Sequence, residues 1–289
     1  MMNILRKLYA GDKVALVAPG GPIRKKDLLA ALRLFRQLPL EVVYKPEIFL
    51  KEKWFAGSAE VRARQINSFF ADPSIKAIIA VRGGYGCQHL TPLLNKRVIS
   101  QNPKIFMGFS DCTYLHNYFL QVCELATFHG PHFIDGLINE RKRKIFLQDF
   151  RKTFFESKEG YSISLPRSTF VGKFGKPAPI VGGNLTLINQ TIGTSLPLAT
   201  FGKFLLIEDV NEASYRIDRM LTHLDDAGLL RHITGLLVGN FSKSRKNDEA
   251  VVSGFLARTF GPKIPFPIIY NFPSGHSREN RIVPLGVPC

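Results

Sequence analysis

The sequence has no long hydrophobic run. No apolar stretch approaches the roughly 20 residues that span a bilayer, and the first residues hold no apolar block of the kind that precedes a secretory cleavage site. We therefore expect neither a membrane-spanning helix nor a secretory signal. Zinc-finger and RNA-recognition signatures are missing as well.

Cysteine is also scarce, with four residues in a chain of 289. Cys87, Cys112, Cys123 and Cys289 form no C-x-x-C pair, so the chain is not a small disulfide-stabilised scaffold. This usage predicts a protein of the reducing cytoplasm.

Acidic residues are outnumbered: 23 Asp and Glu stand against 39 Lys and Arg, which gives a formal net charge of +16. Such an excess favours anionic partners. The basic residues are scattered apart from two short clusters at 141–144 and 243–246, and no aromatic-interleaved basic motif accompanies them. This distribution favours a solvated basic surface, and we expect no nucleic-acid partner.

Short apolar runs alternate with helix-like stretches through the first half of the chain. We predict strands at 13–18, 41–44, 75–81 and 104–109, and helices at 27–38, 58–70 (with Ser58 as N-cap) and 111–122. Strands that alternate with helices indicate βαβ units and a parallel sheet, whose strands are apolar throughout because both faces are covered. The sequence therefore predicts an α/β fold.

The pattern changes after about residue 135. Residues 140–158 are highly charged, and residues 162–179 mix glycine, proline and basic residues without a helical period. Strands at 203–207, 235–239 and 265–270 and a helix near 212–224 are expected beyond them. We predict one domain over residues 1–150, a linker over 151–175 and a second, smaller domain over 176–289.

The segment Gly108-Phe109-Ser110-Asp111 joins an apolar strand directly to a helix. A strand, a sharp turn with Gly-x-Ser and a helix form the nucleophile elbow of serine hydrolases. The helix N-terminus behind the serine would stabilise a developing oxyanion. Cys112 stands where the usual motif has its second glycine. The alternative role for Ser110 is to cap the helix.

A second glycine-rich segment, Arg82-Gly83-Gly84-Tyr85-Gly86, follows the neighbouring strand. It is neither the G-x-G-x-x-G pattern nor a P-loop. Paired glycines let backbone N–H groups approach a ligand, so the segment could supply an oxyanion donor, a phosphate cradle or a plain turn. Arg82 could pair with a substrate carboxylate.

A nucleophilic serine needs a base, and seven histidines are available. His276 lies in a glycine-containing loop after an apolar strand, whereas His129 and His132 lie nearer to Ser110 in sequence. His129, His132 and Asp135 also offer a metal alternative, which Gly130-Pro131 and the lack of a further ligand in the second half make weak. The other histidines, at 89, 116, 223 and 232, have contexts typical of structural residues.

Taken in order, these segments resemble the serine LD-carboxypeptidases, the murein-tetrapeptide carboxypeptidases. The resemblance includes the segments 82–86, 108–111 and 129–131, then Gly182-Gly183-Asn184, residues 207–221 and Gly275-His276, and extends from Val14 to Gly286. The family more often has tyrosine where this chain has Phe109, an aromatic exchange that leaves the chemistry intact.

The resemblance implies a catalytic triad of Ser110, Glu208 and His276, with an oxyanion hole formed by the N–H groups of Gly84 and Asp111. It also implies substrate contacts near Arg82, Gly83 and Tyr85, an α/β domain that carries the serine, a β-rich C-terminal domain that carries the other two residues, and a homodimer. No metal or organic cofactor is implied.

The implied activity is release of the terminal D-Ala from the L-centre of an anionic murein tetrapeptide during peptidoglycan recycling in the cytoplasm. Two alternatives stand beside it. One is the related microcin-immunity branch, which cleaves a peptide–nucleotide toxin with the same triad. The other is a non-catalytic α/β module that binds an anion through the glycine loop.

Three acids lie close together near the expected third member of the triad. Strand alternation places Glu208 on one face beside Phe204 and Leu206, and Asp209 on the other. A carboxylate beside apolar residues is costly unless it is paired, which favours Glu208 as the orienting acid. Asp209 would then bind substrate or backbone as a loop acid. We further predict that Asn211 caps the next helix and that Glu212 lies in its first turn.

Overall fold

The computed structural model describes residues 7–156, 161, 163, 165, 167–242, 248–277 and 279–288. The basic cluster at 243–246 and Cys289 therefore lie outside the described residues. No helix within these ranges is long and apolar enough to cross a membrane.

The first part of the chain supplies five strands of a six-stranded sheet and the helices that connect them. Its elements are β1 (Lys13–Val17), α1 (Lys25–Phe35), β2 (Glu41–Val43), α2 (Ala59–Ala71), β3 (Ile75–Ala80), α3 (Lys96–Gln101), β4 (Ile105–Gly108), α4 (Thr113–Val122), β5 (Thr127–His129), α5 (Phe133–Ile138) and α6 (Glu140–Arg151). The predicted βαβ alternation is confirmed, and the Ser58 side chain caps α2 through the N–H of Val61.

The second part of the chain forms a five-stranded sheet with its own core and supplies its last strand to the first sheet. Its elements are β6 (Thr169–Val171), β7 (Ile180–Asn184), α7 (Leu185–Thr191), β8 (Phe204–Val210), α8 (Ser214–Asp226), β9 (Gly235–Ser242), α9 (Asp248–Phe260), β10 (Ile268–Tyr270) and β11 (Val283–Leu285). The strand order is β6-β10-β9-β8-β7, and only β6 runs antiparallel to its neighbour. The α/β class is thus confirmed for both sheets.

The last strand returns to the first sheet, whose order is β11-β5-β4-β3-β1-β2. β11 pairs antiparallel with β5, and the N–H of Gly286 donates to the carbonyl of Ile180 at 2.9 Å. The C-terminal segment therefore joins the two sheets side by side.

The charged stretch that begins at residue 140 is ordered as a helix. α6 buries Phe146, Leu147 and Phe150 and leaves most of its charged residues toward solvent. Thr169–Val171, inside the range predicted as a linker, is the edge strand of the second sheet.

The start of α8 differs from the sequence expectation. The helix begins at Ser214, its N-cap is Ala213, and Asn211 has φ of +61° instead of the extended conformation of a capping residue. The prediction that Asn211 caps the helix and places Glu212 in the first turn is therefore wrong. Glu212 instead precedes the helix and pairs with Arg216 at 3.6 Å.

Parallel strands bring several loops to one edge of the first sheet. The segments after β1, β3 and β4 carry Pro19-Gly20-Gly21, Gly83-Gly84 and Ser110 in turn. Since the carboxyl ends of parallel strands meet at the same edge, these loops pack together. The N–H of Gly21 donates to the carbonyl of Gly83 at 2.8 Å, which fixes two of them to each other.

Candidate active site

The turn after β4 has the geometry of a nucleophile elbow. Phe109 is extended, Ser110 has φ of +58°, and a short 3-10 helix over Ser110–Cys112 leads into α4. A residue other than glycine at such a φ stores strain of about 1–3 kcal/mol, which surrounding structure must hold in place. The turn thus directs the half-buried Ser110 away from the sheet.

Packing around the elbow explains why Gly108 is needed before Ser110 and why Cys112 is tolerated after it. A Cβ added at Gly108 would lie 2.8 Å from Cys112 Sγ. Cys112 already has helical backbone angles, so no glycine is required there. Gly108 therefore leaves room for the side chain of Cys112, which stands where the usual G-x-S-x-G motif has its second glycine.

The N-cap of the 3-10 helix is Phe109, so Ser110 is the first residue of that helix and does not occupy the capping position. Its Oγ instead lies 3.0 Å from Nε2 of His276. The structure thus contradicts the alternative in which Ser110 only caps the helix.

His276 reaches the serine from the loop after β10. Its Nδ1 lies 2.8 Å from Oε2 of Glu208. A carboxylate only accepts hydrogen bonds, so this contact places the imidazole proton on Nδ1 and leaves Nε2 free to accept from Ser110. Together the three side chains form a continuous hydrogen-bonded line between the two sheets.

Two glycines make room for the acid of this line. A Cβ at Gly275, which has φ of +112°, would lie 2.8 Å from Oε2 of Glu208. A Cβ at Gly239 would lie 3.1 Å from the Glu208 Cβ. Glu208 is fully buried, and this burial raises its pKa, although the hydrogen bond and charge of His276 act in the opposite direction.

Asp209 has a different set of partners, as strand alternation predicts. It accepts hydrogen bonds from Asn184 Nδ2 at 2.9 Å and from the N–H and hydroxyl of Thr186 at 2.9 and 2.8 Å. It also accepts one from the N–H of Val210. It is 3% exposed. The suggestion that Asp209 is a loop acid for substrate is wrong, because its oxygens are occupied inside the protein, whereas binding of backbone N–H groups is observed.

The glycine loop passes directly against the serine. A Cβ at Gly83 would lie 3.3 Å from the Ser110 Cβ and 2.7 Å from the His132 ring. Gly84 has φ of +109°, which glycine adopts readily. Within the described part of the chain, the N–H groups of Gly84 and Asp111 donate no hydrogen bond to another residue. Both are thus available to an incoming oxygen.

The remaining predicted contacts lie at the rim. Arg82 is exposed and donates to the carbonyl of Pro22 at 2.8 Å. Tyr85 is 43% exposed and packs on Phe55, with ring centroids 5.6 Å apart. Both side chains are exposed, so a ligand can reach them.

A cavity of about 430 Å³ opens beside His276 and Phe109. Both signs of charge line it, with Arg24 and Lys142 against Asp27 and Asp135. Arg24 and Asp27 are not predicted as site residues from the sequence, and Lys142 stands out there only as part of a basic cluster. No local motif marks these residues, because α1, α5 and α6 come together only in the folded chain.

The other histidines near the serine have internal partners. His129 Nδ1 lies 3.1 Å from the Ser274 hydroxyl, and burial lowers its pKa well below the usual value. His132 Nε2 donates to the carbonyl of Phe109 at 3.0 Å, and its Nδ1 faces Asp135 at 3.4 Å. Among the described residues, no group of three His, Cys, Asp or Glu side chains is arranged to hold a metal ion.

A serine activated by an imidazole that a buried carboxylate orients is the arrangement of a serine hydrolase. Comparison with known proteins agrees. The LD-carboxypeptidase N-terminal domain matches residues 14–130, and the LD-carboxypeptidase C-terminal domain matches residues 178–289. The chain therefore belongs to the LD-carboxypeptidase family and is a serine-type carboxypeptidase.

Relatives of similar length support this assignment. The probable murein peptide carboxypeptidase of Bacillus subtilis is 30% identical, over 97% of this chain and 89% of its own. The murein tetrapeptide carboxypeptidase of Pseudomonas aeruginosa is 30% identical, over 95% of this chain and 91% of its own.

Solved structures share the fold. The muramoyltetrapeptide carboxypeptidase from Oxalobacter formigenes superposes with a TM-score of 0.80 at 26% identity, over 95% of this chain and 92% of that one. The protein MccF, solved with glutamyl sulfamoyl guanosine, gives a TM-score of 0.88 at 20% identity, over 98% and 94% of the two chains. The second likeness concerns the fold alone.

Proposed function

We propose that this protein releases the terminal D-Ala from the L-configured diamino acid of murein tetrapeptides, in peptidoglycan recycling in the cytoplasm. The observation that carries the proposal is the hydrogen-bonded line Ser110–His276–Glu208 beside the charged cavity. The names of the relatives supply the substrate class.

In the proposed mechanism, Ser110 Oγ attacks the scissile carbonyl and its proton passes to Nε2 of His276. His276 then gives this proton to the leaving amine of D-Ala, and water later hydrolyses the acyl-enzyme by the same route. Glu208 orients the imidazole and stabilises its protonated form. These residues supply nucleophile, base and acid, so the mechanism uses no metal or organic cofactor.

The oxyanion would be held by the N–H groups of Asp111 and Gly84. Removal of one such donor typically costs about 10²–10³ in kcat. Asp111 follows the serine in the 3-10 helix, and Gly84 lies in the loop that contacts Ser110. The tetrahedral oxygen would therefore sit between the two loops.

Two cations support an anionic peptide as substrate: Lys142 in the lining of the cavity and Arg82 on the neighbouring loop. Arg24 also lines the cavity, but it pairs with Asp27 at 2.7 Å. Gly83 and Tyr85 lie on the same loop as Arg82. Arginine forms paired hydrogen bonds with carboxylates, which a murein peptide carries. We assign Arg82, Gly83 and Tyr85 to the substrate side of the glycine loop.

The proposed active site is shared between two domains, one over residues 1–150 and one over 176–289, with a connection over 151–175. Ser110 belongs to the first and Glu208 and His276 to the second. Neither domain alone should hydrolyse the peptide, because each lacks part of the triad. Hydrolysis by a purified 1–150 fragment would contradict this division. The resemblance also implies a homodimer, which analytical ultracentrifugation would test.

The decisive experiment is mass spectrometry of the protein incubated with tetrapeptides that end in D-Ala or in L-Ala. We expect rapid release of D-Ala and much slower release of L-Ala, because a carbonyl held in the wrong orientation loses its oxyanion contacts. A strong chelator should not change the rate, and Ser110→Ala should abolish it. Equal rates for both peptides would refute the stereochemical claim.

A second incubation separates this proposal from its alternatives. Glutamyl sulfamoyl guanosine, the compound bound in the MccF structure, should be cleaved far more slowly than the tetrapeptide. Preferential cleavage of this compound would favour the microcin-immunity activity. No cleavage of either substrate, with tetrapeptide binding unchanged in Ser110→Ala, would favour a non-catalytic module.

A further inference from the structure

One peptide group near the active site is bound from both sides by buried, oppositely charged side chains. Arg62 Nη1 donates to the carbonyl of Gly86 at 3.0 Å, and the N–H of Cys87 donates to Oδ2 of Asp111 at 2.9 Å. The Gly86 carbonyl and the Cys87 N–H belong to the same planar peptide unit. We call this arrangement of Arg62, the Gly86–Cys87 peptide and Asp111 the peptide clamp.

Arg62 is unusual because its charge is buried among carbonyl oxygens. The residue is 2% exposed, and burial lowers its pKa. Besides Gly86 it donates to the carbonyls of Pro19 and Gly57, and its guanidinium lies over the Phe55 ring at 5.1 Å. No ion pair of the described residues includes Arg62.

A buried charge without a direct counter-ion is costly. The clamp reduces this cost, because Arg62 and Asp111 bind the two ends of the same peptide dipole. Arg62 polarises the carbonyl of Gly86, and Asp111 polarises the N–H of Cys87. Hydrogen bonds to charged groups are stronger than neutral ones, and bonds in a chain strengthen each other. The clamp therefore holds the Gly86–Cys87 peptide in one position.

The clamp also connects the two proposed oxyanion donors. Asp111 contributes one donor through its backbone N–H, while its carboxylate holds the loop that carries the other donor, Gly84. Close packing reinforces this link, since a Cβ at Gly20 would lie 2.8 Å from the Gly83 carbonyl oxygen and 2.9 Å from Asp111 Oδ2. The Asp111 carboxylate therefore contributes to the spacing between the two N–H groups.

We propose that Arg62 and Asp111 are positioning residues that set the geometry of the oxyanion hole through the Gly86–Cys87 peptide. This inference rests on the part of the proposed function that assigns Gly84 and Asp111 as oxyanion donors. It does not depend on which peptide is the substrate. A preorganised donor pair stabilises the transition state without reorganisation during the reaction.

The test uses a phosphonyl fluoride, a small probe that reacts with activated serines. Ser110 Oγ bonds to phosphorus, fluoride leaves, and the hydroxyl proton passes to His276. The phosphoryl oxygen needs the oxyanion donors, but the probe needs no peptide subsite. The rate of phosphonylation therefore reports on the clamp even if the tetrapeptide is not the substrate.

Three variants address the two charges: Asp111→Asn, Arg62→Lys and the double variant. We expect each single change to slow phosphonylation roughly 10- to 100-fold, as small displacements of catalytic groups do. The double variant should be no slower than the slower single variant, because both changes release the same peptide. For tetrapeptide hydrolysis, kcat should fall while KM changes little.

Lys104→Met is the matched control. Lys104 is also a buried cation that donates to backbone carbonyls, those of Asp72 and Ile75, but it lies before β4, at the opposite end of the sheet from Ser110. It should lower the thermal midpoint and leave phosphonylation unchanged. All rates are measured well below the midpoint of each variant.

The outcomes separate the two proposals. Slow phosphonylation of Asp111→Asn and Arg62→Lys supports the clamp, even when the wild-type protein releases no D-Ala and the proposed substrate is wrong. Rates within twofold of wild type in folded variants, additive losses in the double variant, or an equal loss in Lys104→Met would overturn the clamp. If Arg62→Lys fails to fold, the neutral and nearly isosteric Asp111→Asn decides alone.

Discussion

The rings of His276 and His132 flank Phe109, with centroids 4.7 and 4.3 Å from it. Each imidazole lies between a nucleophile and an acid. His276 stands between Ser110 and Glu208, and His132 stands between Cys112 and Asp135. Similar residue types are therefore assembled twice within a few ångströms.

The two assemblies differ in distance and access. His276 lies 3.0 and 2.8 Å from its partners, and its side chain is 20% exposed beside the cavity. His132 lies 4.0 Å from Cys112 Sγ and 3.4 Å from Asp135, is 2% exposed, and already uses Nε2 on the Phe109 carbonyl. Catalysis therefore requires an imidazole nitrogen that has no other partner and a site that substrate can reach. The presence of the right residue types alone provides neither.

The protonation of His132 also excludes it as the general base. Burial disfavours the charged form of His132, but the neighbouring Asp135 and Cys112 outweigh it and raise the pKa of His132 to about 9. An imidazole that keeps its proton near neutral pH is a poor general base. His132 is thus suited to hold the elbow and not to accept a proton.

The largest effect is expected for Ser110, in contrast to the other nucleophilic side chain, Cys112. Ser110→Ala should lower kcat by roughly 10⁶, as loss of a triad serine does, because no other group can attack the carbonyl. Cys112→Ala is the control and should keep most activity with some loss of stability. Steady-state hydrolysis of the tetrapeptide measures both, and an inactive but folded Cys112→Ala would break the comparison.

The next effect concerns the two neighbouring acids. Glu208→Gln should lower kcat by about 10⁴, because an amide favours the wrong tautomer of His276. Asp209→Asn should cost about 1–3 kcal/mol of unfolding free energy, because hydrogen bonds that Asp209 accepts are lost or reversed, with little change in kcat. Kinetics and denaturant unfolding distinguish the two, and the reverse pattern would place the third triad member at Asp209.

Stability should depend on pH through the buried histidines. Burial lowers the pKa of His116 to about 4 and lowers that of His129 well below its usual value. The unfolded chain binds these two protons below about pH 6.5 and the folded chain does not, so stability falls by up to about 1.4 kcal/mol per pH unit for each group as pH decreases.

His132 acts in the opposite direction. Its raised folded pKa of about 9 gives stability that is complete below pH 6.5 and is lost as the pH rises toward 9. Cys112, which contacts His132, offsets part of this loss, because its pKa is lowered to about 7 and the folded chain releases that proton before the unfolded chain does. The thermal midpoint should therefore rise from pH 5 to about 6.5 and change less above that pH. His132→Gln should alter the profile above pH 6.5, with the exposed His232→Gln as control, and an unchanged profile there would contradict this assignment.

The smallest effect is expected at Glu212. Glu212→Gln removes a partner of Arg216 at 3.6 Å on the surface of the second domain. Such pairs contribute at most about 1 kcal/mol, so the thermal midpoint should shift little and kcat should stay near the wild-type value. A large loss of activity would mean that Glu212 belongs to the active site.

Local patterns in the sequence determined much of this protein. Apolar runs and helical periodicity predicted β1 to β4 and the helices between them, because both follow from side-chain spacing along the chain. Gly108 and Ser110 predicted the elbow, and strand alternation separated Glu208 from Asp209. The cap at Asn211 failed because a positive φ there was not visible in the residue types.

Only the tertiary structure decided which groups meet. From residue types alone, His129, His132 and His276 were all candidate bases. Contacts across 166 and 68 positions of the chain join His276 to Ser110 and Glu208. In the peptide clamp, Arg62 lies 24 positions before Gly86, and Asp111 lies 24 positions after Cys87. Sequence fixes which side chains can bond, but distance and burial, which arise when the two sheets pack, determine which of them do.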